Sequence, residues 1–358
     1  MMRYVVSGFP PPPRLWRDLA EALRAKAGSR TVVLLTIWAL LPGVAMAQGK
    51  CDRACLEGIA EQYLDALVAK DPKKLQVASN LKYTENGQRL LLGDSLWNSI
   101  TGRGTYKLHI ADQTAGQIVT FSTMREAGSP IIIAVRLKID GNRHLTEIET
   151  LVAHSENGAK NLEAIGQPRA AFLRPTLPAD RASRADLVRV ANMYFSGMQL
   201  NDGKGTYPFA EDCDRLENGG KTTNASPKPG AARPDPKTSN NYSAMWTCRE
   251  QFESGLLHFV MRIRDRRYLV VDEERGLVVA FAFFDHDAGA SRHFKTPDGR
   301  SVTAGPTVPW TWEIAELFKV EKGLLHEIEA ILERAPYGMT SGWSSWEDGM
   351  SDKIQFAR

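Results

Sequence analysis

The chain carries almost no net charge. Lys and Arg number 45 against 42 Asp and Glu, leaving +3 over 358 residues. So even a balance excludes nucleic-acid recognition through a broad basic face. Cysteine is scarce, with four in all. No Cys-x-x-Cys pair and no His pair at helical spacing occurs, so the usual ligand pattern of a zinc site is missing. A Gly-rich phosphate loop, a Gly-x-Ser-x-Gly elbow and a His-Glu-x-x-His helix are also absent. The most apolar N-terminal run, Thr31 to Ala47, is 17 residues long and contains Pro42-Gly43. A bilayer span needs about 20. What the chain does have, 43% hydrophobic and 24% charged residues, is the composition of a packed globular protein rather than a disordered one.

The N-terminus reads as an address. Arg14, Arg17, Arg24, Lys26 and Arg30 precede the apolar run, and Ala45-Met46-Ala47 is the small-x-small pattern of a signal-peptidase site. Residues 1–47 are therefore expected to be a signal peptide cleaved near Ala47, giving a secreted or periplasmic protein with no stable membrane anchor. Lys50 before Cys51 disfavours a lipoprotein. Without that segment the charge is −1, so the basicity belongs to the leader and no polybasic face remains for nucleic acid or anionic lipid. An even cysteine count in an oxidising compartment reads as disulfides. The expected pairs are Cys51–Cys55, near the start of a helix, and Cys213–Cys248, which flank a Pro- and Asn-rich insertion.

The strongest internal signal is a repeat. Leu56, Ile59, Ala60, Tyr63, Leu64 and Leu67 form one apolar helical stripe, and 131 positions later Leu187, Val190, Ala191, Tyr194, Phe195 and Met198 occupy the same phases. Each helix is followed by a Glu-Asn-Gly turn, Glu85-Asn86-Gly87 and Glu217-Asn218-Gly219. Each half then has a hairpin turning from Asp to Gly, at Asp112–Gly116 and Asp272–Gly276, and ends on Glu-Ile-Glu, at Glu147-Ile148-Glu149 and Glu327-Ile328-Glu329. The pattern predicts an α+β chain of two modules, 48–155 and 183–336. A linker, 156–182, is read as extended on its prolines. The second module carries insertions at 221–245 and 287–309, both read as surface loops, and a tail, 337–358, follows. The central strands, Ile131–Val135 and Leu277–Phe284, are apolar on both faces. One face is covered by the helix, so the other must line a cavity or pack on the second copy.

A helix followed by an antiparallel sheet, twice over, resembles the NTF2-like (SnoaL-like) cone fold. Cys51-Asp52-Arg53-Ala54-Cys55-Leu56, Thr84-Glu85-Asn86-Gly87-Gln88, Tyr268–Gly276 with Phe284-Asp285-His286, and Pro336-Tyr337-Gly338-Met339 are similar to an uncharacterised family of secreted two-module proteins of fungi and bacteria. The resemblance implies two tandem cones and no metal or organic cofactor. It implies a small, mostly apolar organic ligand, with either cofactor-free lyase, isomerase or dehydratase chemistry or a non-catalytic binding or interaction role in which the cones are filled. Fold alone does not choose between these.

Cofactor-free chemistry of this kind rests on acid/base groups in an apolar pocket, where burial moves a pKa toward neutrality. Asp285 and His286 close the most apolar strand, and adjacent strand residues face opposite sides, so one of the two can face a cavity as general base. Tyr194 is the expected hydrogen-bond donor, with Tyr63 at the matching phase of the first helix. Trp310, Trp312 and Glu313 form an aromatic-plus-carboxylate cluster with Trp97 as its first-module analogue. Asp212 and Arg215 beside Cys213 are candidates for a pocket mouth. Each has a plainer reading as strand end, core packing or ordinary interface, and the run Arg262–Arg267 reads as a solvated strand face.

Overall fold

The computed structural model describes residues 50–356. The expected leader, 1–47, lies outside them. Helix α1 (Arg53–Val68) is capped by Asp52, whose carboxylate accepts from the Cys55 amide at 2.9 Å. It is followed by β1 (Val77–Glu85), β2 (Gln88–Leu90), β3 (Ile100–Asp112), β4 (Gln117–Glu126), β5 (Ser129–Ile139) and β6 (Leu145–Ala153). Helix α2 (Glu156–Ile165) leads to α3 (Arg184–Leu200), capped by Ser183. Then come β7 (Phe209–Glu217), β8 (Gly220–Lys221), α4 (Cys248–Glu253), β9 (Val260–Asp272), β10 (Leu277–His286), a small hairpin β11 (His293–Lys295) and β12 (Ser301–Thr303), β13 (Trp310–Glu321), β14 (Leu324–Ala335) and β15 (Gln355–Phe356).

The chain is α+β, with two large open sheets. The first has the order β2-β1-β6-β5-β4-β3 and the second β8-β7-β14-β13-β10-β9-β15. Apart from the added edge strand β15, the two orders are the same, and in both the first long strand pairs parallel with the last, β1 with β6 and β7 with β14. Bulges in β3 and β9 bend these long strands. Asn86 and Asn218 sit at φ 44°, each before a glycine with φ near 70°, as a tight hairpin turn requires. Their side chains then continue the sheet. Asn86 bridges the amide and carbonyl of Val152 at 2.7 and 3.1 Å, and Asn218 those of Leu332 at 3.0 and 2.8 Å.

Of the two possibilities for the doubly apolar strands, the structure shows the second. One face of the first sheet packs on α1 through Leu56, Tyr63, Ile133 and Ile148. One face of the second packs on α3 through Leu187, Phe195, Ala282 and Phe318. The remaining faces meet in a shared core containing Phe121, Ile132, Leu151, Val279, Phe281 and Leu317. Reciprocal ion pairs lock this contact. Arg53 at the start of α1 grips Asp272 at the end of β9 at 2.7 and 2.9 Å, and Arg184 at the start of α3 grips Asp112 at the end of β3 at 2.8 and 2.6 Å. Contact i to j answered by j to i is the mark of a two-fold arrangement of like parts.

Three expectations change here. The connector after β6 is not extended throughout, because α2 forms and buries Leu162 with Phe172 in the shared core. The run Arg262–Arg267 is not a solvated face, because Arg264, Asp265, Arg266 and Arg267 are all buried. Asp265, at φ 50°, accepts from Ser341, Ser344 and Gln355 of the closing segment, and Arg267 pairs with Glu149 of the first sheet at 2.8 and 3.0 Å. Finally, the insertions are not merely surface loops. Trp246, just after the first, is buried against Val302 and Phe294 of the second, so the two pack together beside the second sheet.

Candidate functional site

The inner face of β13 reads Trp312, Ile314, Glu316, Phe318, Val320, because alternate residues share a face. All but one are apolar. Glu316 therefore enters the core between sheet and helix, and the chain surrounds it with polar partners. Tyr194 reaches it from α3, while Arg215 and Glu217 come from β7. Tyr242 comes from the 221–245 insertion, which the Cys213–Cys248 disulfide (Cα–Cα 6.0 Å) closes at its base. The other expected pair, Cys51–Cys55, is also formed, with Cα atoms 5.3 Å apart.

Arg215 is the hub of this floor. Its Nη1 donates to the Tyr194 hydroxyl at 2.8 Å, its Nη2 to the Tyr242 hydroxyl and to Gln251 Oε1 at 2.8 Å, and its Nε to Thr222 Oγ1 at 2.9 Å. Glu217 Oε1 lies 3.0 Å from Nε. Gln251, on α4, donates in turn to the carbonyls of Thr222 and Ser243 at 2.6 and 3.0 Å, which ties the insertion to the site. Burial works against the guanidinium charge, but Tyr194, Tyr242 and Glu217 more than offset it and hold the pKa well above the ordinary value. Burial, then the nearby Glu217, pushes the Glu316 carboxyl up to about 8. Its Oε2 is buried with no hydrogen-bond partner.

Above this floor lies a hollow of about 110 Å³. Met198, Leu257, Val260, Phe284, Ile314 and Leu332 form its apolar walls, and His286, Trp312 and Phe259 its rim. His286 stacks on Trp310 with ring centres 3.9 Å apart, and its Nδ1 is 2.9 Å from its own Phe284 carbonyl. Desolvation lowers its pKa to about 4, so the ring is neutral at physiological pH.

The structure thus brings Arg215, His286 and Trp312 to one hollow, with Tyr194 behind Arg215 and Trp310 behind His286. The other candidates lie elsewhere. Asp285 points to the opposite face and is wholly buried. It accepts from Arg264 at 2.8 and 3.1 Å, from Arg262 at 2.8 Å and from Thr311 at 2.7 Å. Burial alone would raise its pKa, yet the Arg264 and Thr311 hydrogen bonds hold it below the usual carboxylate range. A carboxylate so tied has no free lone pair for a base to use. Glu313 also faces away from the hollow. It is buried near Glu149 and Arg267, and burial pushes it up to about 8. Asp212 is on the surface against His326 Nδ1 at 2.7 Å, away from Arg215. Tyr63 packs edge-on against Trp97 at 5.7 Å inside the first half. Trp97 is not the analogue of Trp310 or Trp312. It lies three residues before β3, as Leu257 lies three residues before β9.

Glu316, Glu217, Tyr242 and Gln251 complete the site, and sequence reasoning did not assign them to it. Glu316 had a signal, being the lone carboxylate on the inner face of an apolar strand. Tyr242 and Gln251 had none, because nothing periodic in a Pro- and Asn-rich stretch says which residue turns inward.

Residues 180–332 match the family model of a domain of unknown function, DUF8021. That span contains α3, the floor and every wall of the hollow. No curated protein matches the chain.

Proposed function

We propose that the protein is a secreted small-molecule-binding protein whose second half is an NTF2-like cone that holds its ligand in the Glu316 hollow, while the first half is a filled copy that serves as scaffold. The repeated strand order, with a helix on the inner face of each sheet, supports the cone reading. Two disulfides in one chain support an oxidising compartment. Among the described residues no helix is long and apolar enough to cross a membrane. The observation that carries the reading is the hollow itself: apolar walls from helix and sheet above the buried polar floor that Arg215 organises.

Binding is favoured over catalysis. Asp285, the other half of the acid/base pair that the strand end offered, faces away from the hollow and is tied to Arg262, Arg264 and Thr311. The volume, about 110 Å³, is also far below the roughly 300–1,000 Å³ of pockets for larger ligands, so the occupant is small.

Native mass spectrometry on protein purified from its own host tests the reading. The expected result is one small organic adduct per chain, absent from Leu257→Trp, in which the larger side chain fills the hollow. No adduct on the wild type, or one that persists in Leu257→Trp, would overturn it.

A further inference from the structure

The floor of the hollow has its hydrogen bonds already made, and the rim does not. Every nitrogen of Arg215 is committed, to Tyr194, Tyr242, Gln251, Thr222 or Glu217. The Tyr242 hydroxyl accepts from Arg215 and donates to the Thr222 carbonyl at 3.2 Å. Gln251 spends both its oxygen and its amide group within the same cluster. His286, at the rim, is different. Trp310 stacks on its ring with centres 3.9 Å apart, Phe259 lies nearly parallel at 5.9 Å and Trp312 edge-on at 6.4 Å. Nδ1 is 2.9 Å from the Phe284 carbonyl. A carbonyl only accepts, so Nδ1 carries the single proton of the neutral ring, and Nε2 keeps an in-plane lone pair. Nε2 has no hydrogen-bond partner among the described residues and, unlike Glu316 Oε2, is not sealed off. An open acceptor therefore stands on a residue that lines a small apolar hollow.

We propose that the hollow takes a short, uncharged aliphatic alcohol, whose hydroxyl donates to His286 Nε2 while its chain lies against Leu257, Ile314 and Leu332; this rests on the ligand-binding reading above. The head group follows from what the rim offers. A ketone, ether or carboxylate oxygen sets one lone pair against another and leaves Nε2 unpaired. An ammonium can donate, but it brings three N–H groups to one lone pair, and a buried donor without a partner is costly. Arg334, whose guanidinium lies 5.0 Å over the Trp310 ring, also sets a like charge beside it. An alcohol has one O–H for one lone pair and carries no charge into apolar walls. The volume, about 110 Å³, limits the chain to a few carbons. The Trp310 stack and the Phe284 carbonyl fix the rotation and tautomer of the ring before the ligand arrives, so little ordering is left to be done on binding. His286 is then a recognition residue, and the discrimination is between a ligand that donates and one that only accepts.

The test is an amide-resolved NMR titration of the ¹⁵N-labelled protein at neutral pH with 1-butanol and with methyl propyl ether, isomers that differ in whether the oxygen carries a proton. Butylamine serves as the charged donor. 1-Butanol should shift the Ile314 and Leu332 amides saturably and bind at least about fivefold tighter than the ether, the worth of one net hydrogen bond. Butylamine should bind more weakly than 1-butanol. Long-range ¹H–¹⁵N spectra should show His286 protonated at Nδ1 and bare at Nε2. The Nε2 resonance should move to lower frequency with 1-butanol and stay in place with the ether. His286→Phe, which keeps a ring against Trp310 but has no lone pair, should bind the two isomers alike, with the ether held within about threefold of the wild type. If alcohol and ether bind the wild type alike, or if Nε2 carries the proton, the assignment of the head group is wrong while the hollow stands. Tighter binding of butylamine than of 1-butanol overturns it likewise. These comparisons are made on the wild type and decide the matter even where His286→Phe fails to fold. If none of the three probes binds, both this inference and the ligand-binding reading fall.

Discussion

The two halves share a strand order but not an interior. At the floor of the first, Tyr83 stands where the second has Arg215, each opposite the isoleucine of a Glu-Ile-Glu strand. Val135 stands where the second has Glu316, each opposite the residue two places after that isoleucine. Tyr83 simply donates to Glu85 at 2.7 Å, and Trp97 closes the space against Tyr63. In the second half Leu257 takes the place of Trp97 and the hollow remains. A guanidinium and a carboxyl in a core must be given polar partners, and two of these, Tyr242 and Gln251, arrive from the 221–245 insertion and from α4, which the Cys213–Cys248 disulfide ties to its base. The difference teaches that one framework can be a filled support or a lined pocket according to about three inward positions.

Moving the second interior into the first should break the comparison most severely. Val135→Glu places a carboxyl in a hydrocarbon core with no arginine, and the expected loss is at least about 4 kcal/mol of unfolding free energy by urea titration, or no folded protein. Next is Arg215→Leu, which strips Tyr194, Tyr242, Gln251 and Glu217 of a shared partner. A loss of about 3–5 kcal/mol is expected, against about 1 kcal/mol for Tyr83→Phe at the corresponding place. A smaller effect sharpens the role of the insertion. Replacing Cys213 and Cys248 by serine frees a loop with a sequence separation of 35 and should cost about 3–4 kcal/mol. The Cys51–Cys55 link, with a separation of 4, should be worth less than about 2.

The smallest expected effect is on pH dependence. Burial raises Glu313 and Glu316 to about 8 and Glu327 to about 7, above their unfolded values near 4.3. The folded state therefore binds more protons than the unfolded one. The stability these groups contribute is complete below the unfolded pKa and is lost as pH rises through 7 to 8. His286, lowered by desolvation to about 4, acts in the opposite sense, contributing stability above its unfolded pKa near 6.5 that is lost as pH falls toward 4. Thermal unfolding should show a higher midpoint at pH 6 than at pH 8.5, with the difference reduced in Glu313→Gln with Glu316→Gln. An unchanged slope in that double variant would remove these carboxyls from the account.

Much of this framework was legible in the residues because periodicity survives duplication. The stripe with Tyr63 and its copy with Tyr194, the paired Glu-Asn-Gly turns and the two Asp-to-Gly hairpins all mark elements that recur. The cysteine pairing was legible from count and spacing. Of the site, Arg215, Tyr194, His286 and Trp312 were within reach, because each is a polar or aromatic residue at a marked place on an apolar element. Asp285 was misleading because a strand alternates. The residue beside His286 had to face the other way, and which of the two met the hollow depended on where Arg262 and Arg264 stood on the neighbouring strand. The buried run Arg264–Arg267 was misread for a related reason. Charges are usually solvated, and only long-range partners, Glu149 in the other sheet and Ser341, Ser344 and Gln355 in the closing segment, make burial tolerable. Tyr242 and Gln251 depend wholly on how a non-repetitive loop closes, which no local pattern encodes.

The central claim is that the second half keeps a hollow inside its core, between helix and sheet, whereas the first half's larger cleft of about 450 Å³ lies at the surface by Cys55, Gly58, Gln62 and Asn142, outside its packed interior. Xenon-pressurised crystals test it most directly, since xenon enters small apolar cavities whatever else they hold. The account predicts xenon density beside Leu257, Ile314 and Leu332, none between α1 and the first sheet, and loss of the site in Leu257→Trp. Xenon in the first interior as well, or in neither, would contradict it.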